Sequence, residues 1–279
     1  MNNPIYAMDT FFYNSQGVYP FETRCEMIKE AGYDSTYLTF WSDEAWQDVE
    51  KLTSVTERYG LQIAAVYVVL DIAAVEYSLD NHRILRLVET MEGCSTIEIA
   101  INASDIASVH DDEQAILWLN RILKAAESRN IQILLYPHIS NWMETAQDAL
   151  RLCEKIKHPQ LGIIFPLFHW YAVDNSNLAN LLVEISPYLR AVNLSGSRKN
   201  SDNATGLPAT IELLDQGEID MFYVLGLLRR INFQGPIGFQ GYSIGGDAYR
   251  NIQHNLQVFH ELNDRLNRHI NWSFMKEYK

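Results

Sequence analysis

Short apolar runs of strand length recur eight times along the chain, and the stretches between them carry helical periodicity; this alternation most restricts what the chain can fold into. The runs are Ile5–Asp9, Ser35–Thr39, Gln62–Val69, Thr96–Ile101, Gln132–Tyr136, Leu161–Phe165, Ala191–Leu194 and Ile237–Gln240. Between them, apolar residues return every three to four positions, most clearly at Ile116, Leu119, Leu123 and Ala126 and at Ala146, Ala149, Cys153 and Ile156, which predicts helices with one buried face. Gly32, Gly60 and Asn130 stand where a left-handed residue closes a helix just before a strand, while Ser42 or Asp43, Asp111 or Asp112, and Asp247 stand where a side chain caps a helix start. Strict alternation without a break in composition predicts one α/β sheet and one domain over residues 1–279. A doubly wound sheet has the same element order, but Asp9-Thr10-Phe11-Phe12 follows the first strand where a glycine fingerprint would stand. A single (β/α)8 barrel, a TIM barrel, is therefore expected, at a length close to the roughly 250 residues such barrels need. The one long connection runs over residues 195–217.

Composition narrows the partners. With 47% hydrophobic and 20% charged residues the chain can bury a large core. A formal charge of −13 opposes binding to phosphate backbones, so no nucleic-acid partner is expected. Cys25, Cys94 and Cys153 form no paired spacing, which points to a reducing compartment, and no run reaches membrane-spanning length. A cytoplasmic protein of unspecified oligomeric state is the expectation.

In a closed parallel barrel, chemistry gathers at the C-terminal ends of the strands. That rule selects Asp9, Glu98 or Asn102, Tyr136 and His138, His169, Asn193, and Gln240 with Tyr242. Pro137 ends the fifth strand and leaves His138 at the rim, where an imidazole can act as general base, metal ligand or hydrogen-bond partner. His169 stands in an aromatic run able to stack a sugar ring, although Phe168 and Trp170 read more simply as interhelical core. Glu98 alternates within its strand and must face either the lumen or the helices. Arg198 and Lys199, after the seventh strand, stand where barrels often hold an anion.

The stretch Leu135-Tyr136-Pro137-His138 with Trp142 to Leu152 resembles the xylose-isomerase-like barrels, as do Leu161 to Phe165 with His169-Trp170, Pro187-Tyr188-Leu189, Leu214 to Gly217 with Asp220, and Gly235 to Tyr242. That superfamily includes sugar-phosphate isomerases, epimerases, inosose dehydratases and apurinic endonucleases. The resemblance implies a divalent metal on a Glu, an Asp, a His and a Glu after strands five to eight. This chain departs at each position, with Tyr136 or its neighbour, Pro166, Asn193 and Gln240. Neutral oxygens bind a hard cation far more weakly than carboxylates do, so no metal and no other cofactor is expected. The expected activity is isomerisation or epimerisation of a sugar, sugar phosphate or polyol. His138 would be the base and Glu98 a possible second group, with Tyr136, His169, Asn193, Arg198, Gln240 and Tyr242 on the substrate. A barrel that binds a sugar or a partner without turnover is the alternative.

Overall fold

A computed structural model describes residues 2–13, 17–73, 78–103, 112–174, 176–200 and 206–274. Eight parallel strands, β1 (Ile5–Ala7), β2 (Ser35–Thr39), β3 (Gln62–Asp71), β4 (Thr96–Asn102), β5 (Gln132–Leu135), β6 (Leu161–Pro166), β7 (Leu189–Leu194) and β8 (Ile237–Phe239), pair in chain order and close on themselves through β1 and β8. The chain is thus a single (β/α)8 barrel. Strand pleating explains the sorting of side chains. On β4, Ile97, Ile99 and Ile101 point outward into the core shared with the helices, whereas Ala100 belongs to a separate cluster inside the barrel with Tyr6, Tyr37, Tyr67 and Tyr136.

The helices start and stop as their end residues dictate. Ser42 and Asp247 each accept a hydrogen bond from the backbone N–H three residues on, and Thr145 with Asp148 forms a reciprocal capping box. Gly32, Gly60 and Asn130 have φ of 99°, 63° and 52°, the left-handed closures expected of them. Asp112 opens its helix, while Asp111 lies outside the described residues. The edges of the strands differ from expectation in both directions. β1 stops at Ala7 because Asp9–Phe12 turn into a 3-10 helix, and β3 runs on to Asp71, paired with Asn102 at the end of β4. After β7 the long connection folds back on itself, with bridges from Gly196 to Glu212 and from Lys199 to Ala209.

The lumen is filled rather than open. Tyr6 and Tyr37 stack with centroids 5.5 Å apart, Tyr67 meets Tyr136 edge-on at 5.0 Å, and the Tyr6 hydroxyl donates to Asn193 Oδ1. Gly238 makes room for this arrangement: a Cβ there would lie 2.2 Å from the Tyr6 ring and 2.4 Å from Asn193 Oδ1. Gly238→Ala is accordingly expected to destabilise the fold by about 1–3 kcal/mol through overpacking. A thermal melt checks this, and an unchanged midpoint would show that the tyrosine can move aside.

Candidate functional site

Above the tyrosines, at the C-terminal ends of the strands, lies a cavity of about 500 Å3. β3 contributes Tyr67, β4 Asn102, the segment after β5 Tyr136, His138 and Ile139, the helix after β6 Phe168 and His169, and the segment after β8 Gln240 and Tyr242. The sequence-selected residues Tyr136, His138, His169, Gln240 and Tyr242 therefore come together. Trp41, Tyr67 and Phe168 also face the cavity and were not selected from the sequence. Trp41 meets Tyr67 and Tyr242 edge-on, at 6.0 and 5.8 Å. Tyr67 could have been found from strand parity, since it lies two residues before Val69 on the same face. Phe168 corrects the core reading given to it: it lines the cavity, whereas Trp170 packs against the helical core.

The two histidines form the chemical centre of the cavity. Their rings stand 4.1 Å apart, and both are tied to Ile139 in opposite senses. His138 Nδ1 is 2.7 Å from the Ile139 carbonyl, which can only accept, so this nitrogen carries the proton and Nε2 keeps a lone pair. The Ile139 N–H donates to His169 Nδ1 at 3.2 Å, which assigns the His169 proton to Nε2, a buried atom with no partner among the described residues. Burial lowers the pKa of His138, and burial together with the neighbouring His138 lowers that of His169 well below the ordinary range. Both rings are consequently neutral near pH 7. The carbonyl oxygen of the Gln240 side chain, also buried and unpartnered among the described residues, offers an acceptor in the same lining.

Other selected residues are placed elsewhere. Asn193 is fully buried beneath the cavity, receiving the Tyr6 hydroxyl, and does not line it. Glu98 does face the lumen, but a tier lower: it accepts from the Tyr37 hydroxyl at 2.5 Å and borders a small hollow at the opposite end of the barrel with Thr96 and Gln132. Burial pushes its carboxyl up to about 8. Its role as a second group at the mouth is therefore replaced by a place in the barrel interior. Arg198 is half-exposed and pairs with Glu212 at 3.1 Å, and Lys199 Nζ donates to the carbonyls of Tyr171 and Ala172, so neither cation lines the cavity. Asp9 is buried among the backbone N–H of Thr39, the Tyr13 hydroxyl and Arg24, where it ties β1 to β2 and to the helix Phe21–Ala31. His158 and His254 pair with Glu127 and Asp215 away from the mouth, and His110 lies outside the described residues.

Among the described residues the cavity lining includes no Asp, Glu, Lys or Arg, and no group of three His, Cys, Asp or Glu is placed to hold a metal ion. A divalent cation of the kind usual in sugar isomerases does not fit this donor set. Two imidazoles whose Nδ1 atoms are already engaged, with no carboxylate in the described lining, give neither the charge nor the ligand number it requires. No helix of the described residues is long and apolar enough to cross a membrane.

A closed parallel barrel with its polar groups collected at the C-terminal mouth defines a TIM-barrel protein of the kind that carries its site there. Within that class the chain belongs to the xylose isomerase-like TIM barrel family, whose model matches residues 25–262. No curated protein matches the sequence. Among solved structures, L-ribulose 3-epimerase is similar over 99% of this chain and 100% of its own, with 13% identity and a TM-score of 0.76. The 3-keto-D-glucoside 4-epimerase of E. coli is similar over 93% of this chain and 99% of its own, with 17% identity and a TM-score of 0.71. The D-allulose 3-epimerase of Methylomonas sp. in complex with D-allulose is similar over 93% and 96%, with 14% identity and a TM-score of 0.74.

Proposed function

We propose that the barrel mouth binds an unphosphorylated sugar, or the keto form of a cyclic polyol, and transfers a proton on the carbon next to its carbonyl, as a sugar isomerase or epimerase does. The observation that carries this reading is the pair of neutral imidazoles of opposite tautomer, 4.1 Å apart on one wall of the cavity. His138 Nε2 has the lone pair a general base needs, and His169 Nε2–H is a donor able to polarise the carbonyl oxygen as charge develops on it. Gln240 Oε1 accepts from a ring hydroxyl, and the aromatic side chains of Tyr67, Tyr136 and Trp41 border the space for the ring. The similar solved structures of epimerases support the substrate class by name. A phosphate finds no cation in the described lining, which favours a neutral substrate. One observation favours binding without turnover: no charged group lines the cavity to stabilise an enediolate.

Solvent exchange separates the two. Incubation in D2O with a panel of unphosphorylated aldoses and ketoses is expected to place deuterium on the carbon next to the carbonyl, read by mass spectrometry. A sugar that stabilises the protein in a thermal shift yet gains no deuterium would assign the barrel to binding alone.

A further inference from the structure

The lining of the mouth changes character beside the histidines. Next to them, with the Phe168 ring 5.0 Å from that of His169, Ile139 and Phe168 pack with Ala172 and Ala209 into a small buried cluster of their own, and Leu207 and Ile211 close over it, half-buried and facing the cavity. The cavity does not end there. Leu207, Ile211 and Tyr242 are shared with a second hollow of about 290 Å3, bordered further by Ala209, Thr210, Glu212, Gln216, Ser243 and Ile244. Together with the 500 Å3 of the central cavity, this is the scale on which drug-sized ligands are held, and more than a single sugar ring needs. A free sugar ring offers its C–H face to the aromatic side chains at the centre of the mouth, but its hydroxyl-bearing rim gains nothing from a further apolar shelf.

We propose that the ligand is amphipathic: an uncharged sugar or polyol ring at His138, His169 and Gln240, bearing an aryl or alkyl substituent that lies on Phe168, Leu207 and Ile211 and extends toward the second hollow. This rests on the sugar-binding reading of the same mouth and specifies its substrate class as a hydrophobic glycoside. A closed glycosidic carbon has no carbonyl, so proton transfer on such a ligand requires a ketone elsewhere on the ring. The reaction that supplies the substrate is then an oxidation of a ring hydroxyl.

Isothermal titration of the full chain with D-glucose and D-xylose, with their phenyl β-glycosides, and with phenol alone tests the proposal. The phenyl glycosides are expected to bind about 10- to 100-fold more tightly than the free sugars, because burying the ring removes apolar surface from water. Leu207→Asn and Ile211→Asn, both at half-buried positions, should remove that increment and leave the weak affinity for the free sugar unchanged, with a thermal melt to check that each variant is folded. Equal affinities for sugar and glycoside would overturn the proposal while leaving sugar recognition intact. Phenol binding as tightly as its glycoside would overturn it as well, since the ring would then contribute nothing. Absence of binding by every sugar and glycoside in the set would overturn the sugar reading itself.

Discussion

His138→Gln is expected to lower the rate of deuterium exchange into the bound sugar by about 10²- to 10⁴-fold, the contribution a positioned general base makes, while the melting temperature moves by no more than a few degrees. His138 is only partly buried, and its protein hydrogen bond among the described residues is the short local one to Ile139. Removing it costs the reaction its base and costs the fold little. His169→Gln should also slow exchange but lose about 1–3 kcal/mol of stability, because the Ile139 N–H loses its acceptor in a buried setting. The pH profile adds a readout that packing alone would not move. Since burial lowers the His138 pKa, the base remains unprotonated down to pH values below its usual range, and the acid limb of the exchange rate lies below about 6.5. A variant that retains the wild-type exchange rate would assign proton abstraction to another group.

Glu98→Gln is expected to stabilise the protein, and to do so more as pH rises above about 4.5. The sign follows from proton counting. The native carboxyl, pushed up to about 8, still holds its proton where the unfolded one, near 4.5, has released it. Between those values the native state binds more protons, so stability falls as pH rises through that window. An amide keeps the Tyr37 contact and cannot ionise. The gain should approach about 5 kcal/mol near pH 9, roughly 1.4 kcal/mol for each pH unit between about 4.5 and 8, and vanish below about pH 4, measured by urea denaturation at several pH values. A constant difference at all pH values would mean that the carboxylate is ionised and satisfied in the native barrel. An unchanged exchange rate in this variant would agree with the place of Glu98 a tier below the mouth.

These two residues show how far the sequence reaches. The alternation of strand-length runs with amphipathic helices determined the barrel, because period-2 and period-3.6 patterns each demand one element, and only a closed parallel sheet buries eight such units in chain order. Local chemistry determined the helix caps at Ser42 and Asp247 and the left-handed closures at Gly32, Gly60 and Asn130, which depend on neighbours in the chain alone. Position at strand ends likewise brought Tyr136, His138, His169, Gln240 and Tyr242 to one cavity. The tertiary structure decided depth and direction. Glu98 alternates identically whether it reaches the mouth or stops below it, and its tier depends on the stagger of β4 against its neighbours. Asn193 ends beneath the cavity because Tyr6, two strands away, reaches over the missing side chain of Gly238 and donates to its amide oxygen. Arg198 turns to Glu212 where the long connection folds back on itself, a pairing across fourteen residues that no local pattern encodes. Phe168 reads as core or cavity wall from the same letters, and the helix after β6, packed beside the segment following β5, decides for the cavity. The opposite tautomers of His138 and His169 depend on the two sides of a single peptide unit at Ile139, its N–H and its carbonyl, each reaching a different ring only once the barrel has closed.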